Sequence, residues 1–530
     1  MTVRRLGIPA VLAVLCLLLG AWPAAAHEER ETFFPEPPGE VPTYRSQVRA
    51  PFLVVCKEDS AERIAALRGR LRGLNQRLLA QCRYEHIQAA VDAVTRPGTT
   101  IYVLPGVYRE EPSRVPPSPE CAPMADDLLT YAQQLECPHL QNLVTVLGDE
   151  DPSDEDHACN NEVCGLQIEG TGAAAGDVVL DGGFDETGNW AKHIGIRADR
   201  ADGFYVRNLT VQRFGDNAVY VIETDGFVID RVVGRWNARY GFLTFTVDHG
   251  LYTDCEAYGN GDSGLYPGSA ADHHGERFAV EIAGCRSHHN LLGYSGTSGN
   301  SVHVHDTDLY ANSAGASMDS LFAGHPGLPQ DFARFEDNRI YGNNENYYGF
   351  ELDGTCARPP AEWGVEQGTV CPVTDVPVGT GLILAGGDDN TYAANQVYDN
   401  WRFGFMQFWV PAPLRGENDP ALFRDTSHRN RYADNVLGQG PDGPLPNGVD
   451  FWWDGQGDGN CWDGNTSAAG AVTGDPADLP GCDDPSGDGP HAELGDPAKL
   501  AWLLTCLDDI FDPVCGFATT PPRPEPDFAS

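Results

Sequence analysis

The chain has 530 residues, with 60 glycines and 39 prolines, and its 77 acidic residues against 35 basic ones give a formal net charge of −42. A surface of that sign repels nucleic acid and anionic lipid, and it repels polyanionic substrates unless cations intervene. So much glycine beside so few basic residues fits a turn-rich β protein and not a helical one.

Residues 1–26 read as a secretory signal. Arg4 and Arg5 precede the apolar run Ala10–Leu19, and Ala24-Ala25-Ala26 offer small residues at a cleavage point before His27. The run is too short for a bilayer core of about 30 Å, and Leu15 ahead of Cys16 argues against a lipid anchor. The mature chain is expected to be secreted and extracellular, with no membrane insertion. Loss of Cys16 leaves an even number of the 15 cysteines, which in an exported chain points to disulfides. Close neighbours imply the pairs Cys56–Cys82, Cys121–Cys137, Cys159–Cys164, Cys356–Cys371, Cys461–Cys482 and Cys506–Cys515.

Residues 27–83 form an N-terminal extension. Within it Ser60–Ala80 reads as one amphipathic helix, with Ile64, Leu67, Leu71, Leu74 and Leu78 on one side. Ile87, Ala90, Val91 and Val94 then stand at helical spacing, Pro97-Gly98 ends that helix, and Ile101-Tyr102-Val103 starts a strand leading to Pro105-Gly106-Val107-Tyr108. From 236 to 404 an Asn recurs, followed shortly by a Gly that opens an apolar stretch: Asn237/Gly241, Asn260/Gly264, Asn290/Gly293, Asn312/Gly315, Asn343/Gly349 and Asn400/Gly404. Steps of roughly 22 to 34 residues, with short β runs between them, fit the coils of a parallel β-helix. Equivalent residues then sit one strand spacing, about 4.8 Å, above each other, so the turn asparagines can hydrogen-bond along the stack. Residues 84–460 are expected to form this solenoid, 461–518 a C-terminal cap with a helix over Ala498–Leu507, and 519–530 a disordered tail.

The helix–strand–PG-x-Y entrance, together with the repeats, resembles the pectate-lyase-like right-handed parallel β-helix superfamily. The resemblance implies an all-β solenoid of three-strand coils with short helical caps and disulfide-clipped insertions. It leaves chemistry open, because the superfamily holds lyases, hydrolases, epimerases, esterases, surface-layer proteins and inert scaffolds.

Counted from each opening Gly, the first and third residues point inward and the second and fourth outward. The outward set Ser295/Thr297, Ser317/Asp319 and Glu351/Asp353 is polar. Asp319, Glu351 and Asp353 are therefore expected within one coil of each other as catalytic acids, close enough to share a proton or a cation such as calcium. Tyr266, Phe408 and Trp452 flank them as sugar-binding residues; the alternative is a solvated face whose carboxylates meet inserted loops. On a second strip Glu281, His303 and Arg334 are equivalent, as are Ala283, His305 and Glu336. They suit proton abstraction from a sugar carbon or a plain salt-bridge ladder. The pairs His273-His274 and His288-His289 bind metal only if they converge. Cys255 and Cys285 should stack inside adjacent coils, either bonded or as a reduced ladder. Asp450-Phe451-Trp452-Trp453-Asp454 with Asp458, Asn460, Asp463 and Asn465 matches no calcium-loop spacing and reads as a cap turn with buried tryptophans. Two functions follow: a protein that binds or acts on an extracellular polysaccharide as a lyase, epimerase or hydrolase, and a non-catalytic surface or matrix scaffold. Neither substrate nor oligomeric state is encoded legibly.

Overall fold

The computed structural model describes residues 30–525 apart from 37–38, 47–50, 126–128, 152–156, 415–425, 469 and 488–492. The expected secretory signal and residues 526–530 lie outside the described residues.

One coil shows how the chain is built. Asn217–Ile222 lies in a first sheet (I), Asp225–Asp230 in a second (II) and Val233–Arg235 in a third (III), after which Asn237 turns the chain back into sheet I at Tyr240. Each strand pairs in parallel with its counterpart one coil further on, as in Val219↔Phe242, Phe227↔Gly250 and Gly234↔Ala257. Repeated along the chain, this makes a right-handed parallel β-helix. Sheet II already begins at Phe52–Val55, paired with Thr100–Val103, ahead of the boundary expected at 84. The coils also run past 460, through Cys461–Asp463 and Thr466–Ser467.

Strand alternation fills the interior. Phe242, Leu265, Tyr294, Ala316, Leu382, Phe405 and Phe451 follow one another in register on sheet I, each at most 1% exposed. Cys255 and Cys285 meet inside adjacent coils as a disulfide. The six expected pairs are also bonded, so seven disulfides clip the chain. That number fits an oxidising compartment. No helix among the described residues is long and apolar enough to cross a membrane.

The corners carry amide ladders. Between sheets III and I, each Nδ2 of Asn237, Asn260, Asn290, Asn312, Asn343 and Asn400 donates to Oδ1 of the next Asn, ending at Asn447, over 2.8–3.3 Å. Two more ladders were not anticipated. Asn338, Asn395, Asn435 and Asn465 line the corner between sheets II and III, and Gln330, Asn390, Asn430 and Asn460 line that between I and II. A left-handed residue precedes many rungs, including Asp389, Ala394 and Asp399 at φ 55°, 54° and 56°. The buried side-chain amide satisfies backbone groups that so tight a corner cannot pair within a strand.

Two expectations need correction. Gly349 does not open a coil: it starts the short helix Gly349–Leu352 in an insertion, and Leu352 is 72% exposed. The true successor of Gly315 is Gly381, since Ala316 pairs with Leu382 and Ser317 with Ile383. The warning lay in the spacing, because Gly349 stands six residues after its Asn where the other glycines stand three or four. The expected helix over 60–80 is two helices, Ser60–Ala66 and Gly69–Leu79, broken at the extended Leu67 and Arg68. At the far end, helix Pro497–Asp508 packs Leu503 and Cys506 onto the outside of sheet I.

Candidate functional site

The outer face of sheet I is covered along its length. Tyr220, Leu243, Phe245 and Tyr266 are buried in one apolar cluster. Ile383, Met406, Phe408 and Trp452 are buried in another with Leu503, Ile510 and Phe517. Phe408 and Trp452 therefore hold the C-terminal cap and do not line a groove. Tyr266 is likewise enclosed, with His325, from the loop after strand Ala314–Asp319, 3.4 Å from its hydroxyl.

Asp319 sits on strand Ala314–Asp319, 5% exposed, accepting from Thr297 Oγ1 at 2.7 Å and from the Leu321 amide at 3.2 Å. Burial pushes its carboxyl up to about 6. Nearby, burial pushes Asp262 up to about 7, with the Asp319 charge adding to the effect, and burial lowers His325 to about 4. Glu351 and Asp353 are on the exposed insertion, where Asp353 accepts from the Thr355 amide. The expected triad of acids is not assembled. Asp319 lies under a roof near Asp262, and the insertion carries Glu351 and Asp353 away from the strand face.

Sheet II is different. On Val280–Ala283, Val302–His305 and Arg334–Glu336, the residues Val280, Ile282, Val302, Val304 and Phe335 are wholly buried, which turns their neighbours outward. Glu281, His303 and Arg334 are in register, as are Ala283, His305 and Glu336. Diagonal contacts tie them together: His305 Nε2 is 2.8 Å from Glu281 Oε1, and His303 Nε2 is 2.7 Å from Glu336 Oε1. Arg334 Nε donates to Glu336 Oε2 at 2.7 Å. The two imidazoles lie 4.5 Å apart at 29°, and Phe278, 38% exposed, stacks on His303 at 4.5 Å. Glu281 and Arg334 are exposed. Burial lowers the His303 pKa; for His305 the same effect is outweighed by hydrogen bonds to Asp306 and Glu281, and its pKa rises.

A second polar cluster adjoins this strip. Asp248 accepts two bonds from Arg277, at 2.8 and 2.5 Å, and lies 3.1 Å from His273 Nε2, while His249 Nδ1 is 2.6 Å from Asp225. The sequence reading missed Phe278, Asp306 and, of this cluster, Asp225, Asp248, His249 and Arg277. Phe278 precedes its strand by two residues, and Asp306 follows His305 directly, so adjacency to the strip was the available signal. The histidine pairs do not converge. His273 bonds Asp248, whereas His288 lies on sheet III between Tyr258 and Tyr310 in an outer aromatic stack.

Fold and face together define a disulfide-clipped parallel β-helix with one covered and one open polar sheet. No known protein family matches the sequence, and no curated protein matches it. Among solved structures, the chain is similar to the A-module of mannuronan C-5 epimerase AlgE6 from Azotobacter vinelandii, at 16% identity over 72% of this chain and 94% of that one, TM-score 0.34. It is also similar to pectate lyase Pel9A, at 12% identity over 81% of this chain and 79% of that one, TM-score 0.33. A rhamnogalacturonan lyase follows at 9% identity, 73% and 82% coverage, TM-score 0.31. The β-helix itself stands on the strand pairings, independently of these likenesses.

Proposed function

We propose that the chain is an exported protein that binds and acts on an extracellular polysaccharide along the open face of sheet II. The observation that carries this reading is the strip of Glu281, His303, His305, Arg334 and Glu336 beside the exposed ring of Phe278. Carboxylates, imidazoles and a guanidinium match the hydroxyl and acid groups of a sugar, and an aromatic ring matches its apolar face. A rigid row of strands presents such groups at a fixed repeat, as a polymer does. The seven disulfides support export.

The test is a panel of neutral and acidic polysaccharides, run by affinity electrophoresis with wild-type protein, Phe278→Ala and Arg334→Ala. The panel also reads new unsaturated or reducing ends, the products of elimination and hydrolysis, and epimer ratios by NMR. Retention by at least one polysaccharide, weakened in both variants, is the expected result. If none is retained, the rod is a scaffold; if both variants bind as wild type does, the strip is a salt-bridge ladder and the binding face lies elsewhere.

A further inference from the structure

We propose that Glu281, His303 and His305 form a binding site for a transition-metal ion of the zinc type. Nitrogen and carboxylate oxygen atoms from all three lie within 4.8 Å of one another. His303 and His305 alternate on one strand, and the wholly buried Val302 and Val304 fix both rings on the same face. Glu281 is held in register on the preceding coil. The donor atoms are thus set by the solenoid and not by a loop.

The contact between His305 Nε2 and Glu281 Oε1, 2.8 Å long, holds a proton where a metal can sit. Bonds of about 2.0–2.2 Å in a tetrahedral site separate ligand atoms by about 3.4 Å, so the 2.8 Å pair needs to open by about 0.6 Å. Each imidazole also keeps a carboxylate on one ring nitrogen: Asp306 Oδ2 lies 2.9 Å from His305 Nδ1, and Glu336 Oε1 lies 2.7 Å from His303 Nε2. Such outer carboxylates fix ring orientation and raise the basicity of a ligating histidine. Arg334 turns onto Glu336 and so balances an outer carboxylate.

Imidazole donors select zinc, nickel or copper over calcium and magnesium, which take oxygen ligands. The calcium expected from the acid block therefore has no place on this strip. Glu281 is exposed and both histidines are half-buried, so the cluster opens to solvent beside the proposed polysaccharide track. The other candidate group, Asp225, Asp248 and His249, is unsuited, because Arg277 already supplies the positive charge at Asp248. The backbone at Gly39 also crosses Asp225 so closely that no Cβ fits there.

The inference uses the same face as the polysaccharide reading but does not require it, so the test uses metal alone. Untagged full-length mature protein, stripped with a chelator and dialysed, is titrated calorimetrically with zinc chloride and in parallel with calcium chloride. Zinc should bind with saturable affinity at one site per chain, and calcium should not compete. Affinity should fall about tenfold or more in His303→Ala, His305→Ala and Glu281→Gln, with an intermediate loss in Asp306→Asn. His274→Ala, His289→Ala and unchanged circular dichroism are the controls. His305→Gln provides a second, milder probe if His305→Ala fails to fold. No saturable zinc binding, binding unchanged in the three ligand variants, or calcium binding as tight as zinc overturns the site. Zinc binding without any polysaccharide retention refutes only the proposed function, and the reverse refutes only the metal site.

Discussion

Asn312 offers a quantitative test of what holds successive coils together. Its wholly buried side chain accepts from the Asn290 amide at 2.9 Å and from Asn290 Nδ2 at 3.3 Å, and it donates to Asn343 Oδ1 at 3.0 Å and to the Ser287 carbonyl at 3.2 Å. With about 1 kcal/mol net for each bond, and partners left unsatisfied away from water, Asn312→Ala should cost about 4 kcal/mol. Asn465 at the end of another ladder is half-buried; it accepts from Asn435 N and Nδ2 and donates to the Tyr432 carbonyl. Water can replace those bonds, so Asn465→Ala should cost about 1 kcal/mol. Urea unfolding followed by tryptophan fluorescence, with the disulfides kept oxidised, measures both. If the two variants lose equal stability, or Asn312→Ala loses less than about 1 kcal/mol, the ladder does not bind the coils.

Buried acids should make the protein more stable at pH 5 than at pH 8. Asp262 and Asp319 are raised to about 7 and about 6 from an ordinary 3.8, so their contribution is full below about pH 4 and is lost as pH rises through 6 to 7. Asp262→Asn should flatten the rise in melting temperature and stabilise the protein at pH 8; a profile falling from pH 8 to pH 5 would refute this. Phe408→Ala should destabilise by about 3 kcal/mol through loss of packing against the C-terminal cap, whereas Phe278→Ala should stay within about 1 kcal/mol. Equal losses by thermal melting would contradict the burial difference. Mass mapping of the non-reduced mature protein should find seven disulfides, including Cys255–Cys285, and free thiol at that pair would remove the internal staple.

The architecture was legible where a signal repeated in the chain. Asn and Gly recur because a corner imposes the same backbone on every coil, and the paired cysteines lie close in sequence. The strip on sheet II was also readable, since Glu281, His303 and Arg334 keep one offset from their corner asparagines. The two extra ladders left a fainter trace, the five-residue spacing of Asn390, Asn395 and Asn400. What covers sheet I was not readable. Alternation shows that Tyr266 and Phe408 point away from the interior, but an outward residue is exposed only if nothing lands on it. The segments that land come from afar: His325 meets Tyr266, and Leu503 and Phe517 join the cluster around Phe408. Local pattern carries no record of such contacts.

The segment that carries Arg30, Phe33, Gly39 and Tyr44 has a temporal consequence. Arg30 lies between Asp199 and Glu223, at 2.8 and 2.5 Å; the Phe33 amide donates to Glu223, Gly39 lies against Asp225, and Tyr44 contacts Glu169. These partners stand on three successive coils, between 125 and 193 residues later in the chain. This stretch is synthesised before its partners and has nowhere to dock until those coils have stacked. It can close only after those coils have wound, like a strap drawn over the turns beneath it. Arg30 is then its buckle: an arginine whose two acidic partners come together only when the winding is correct.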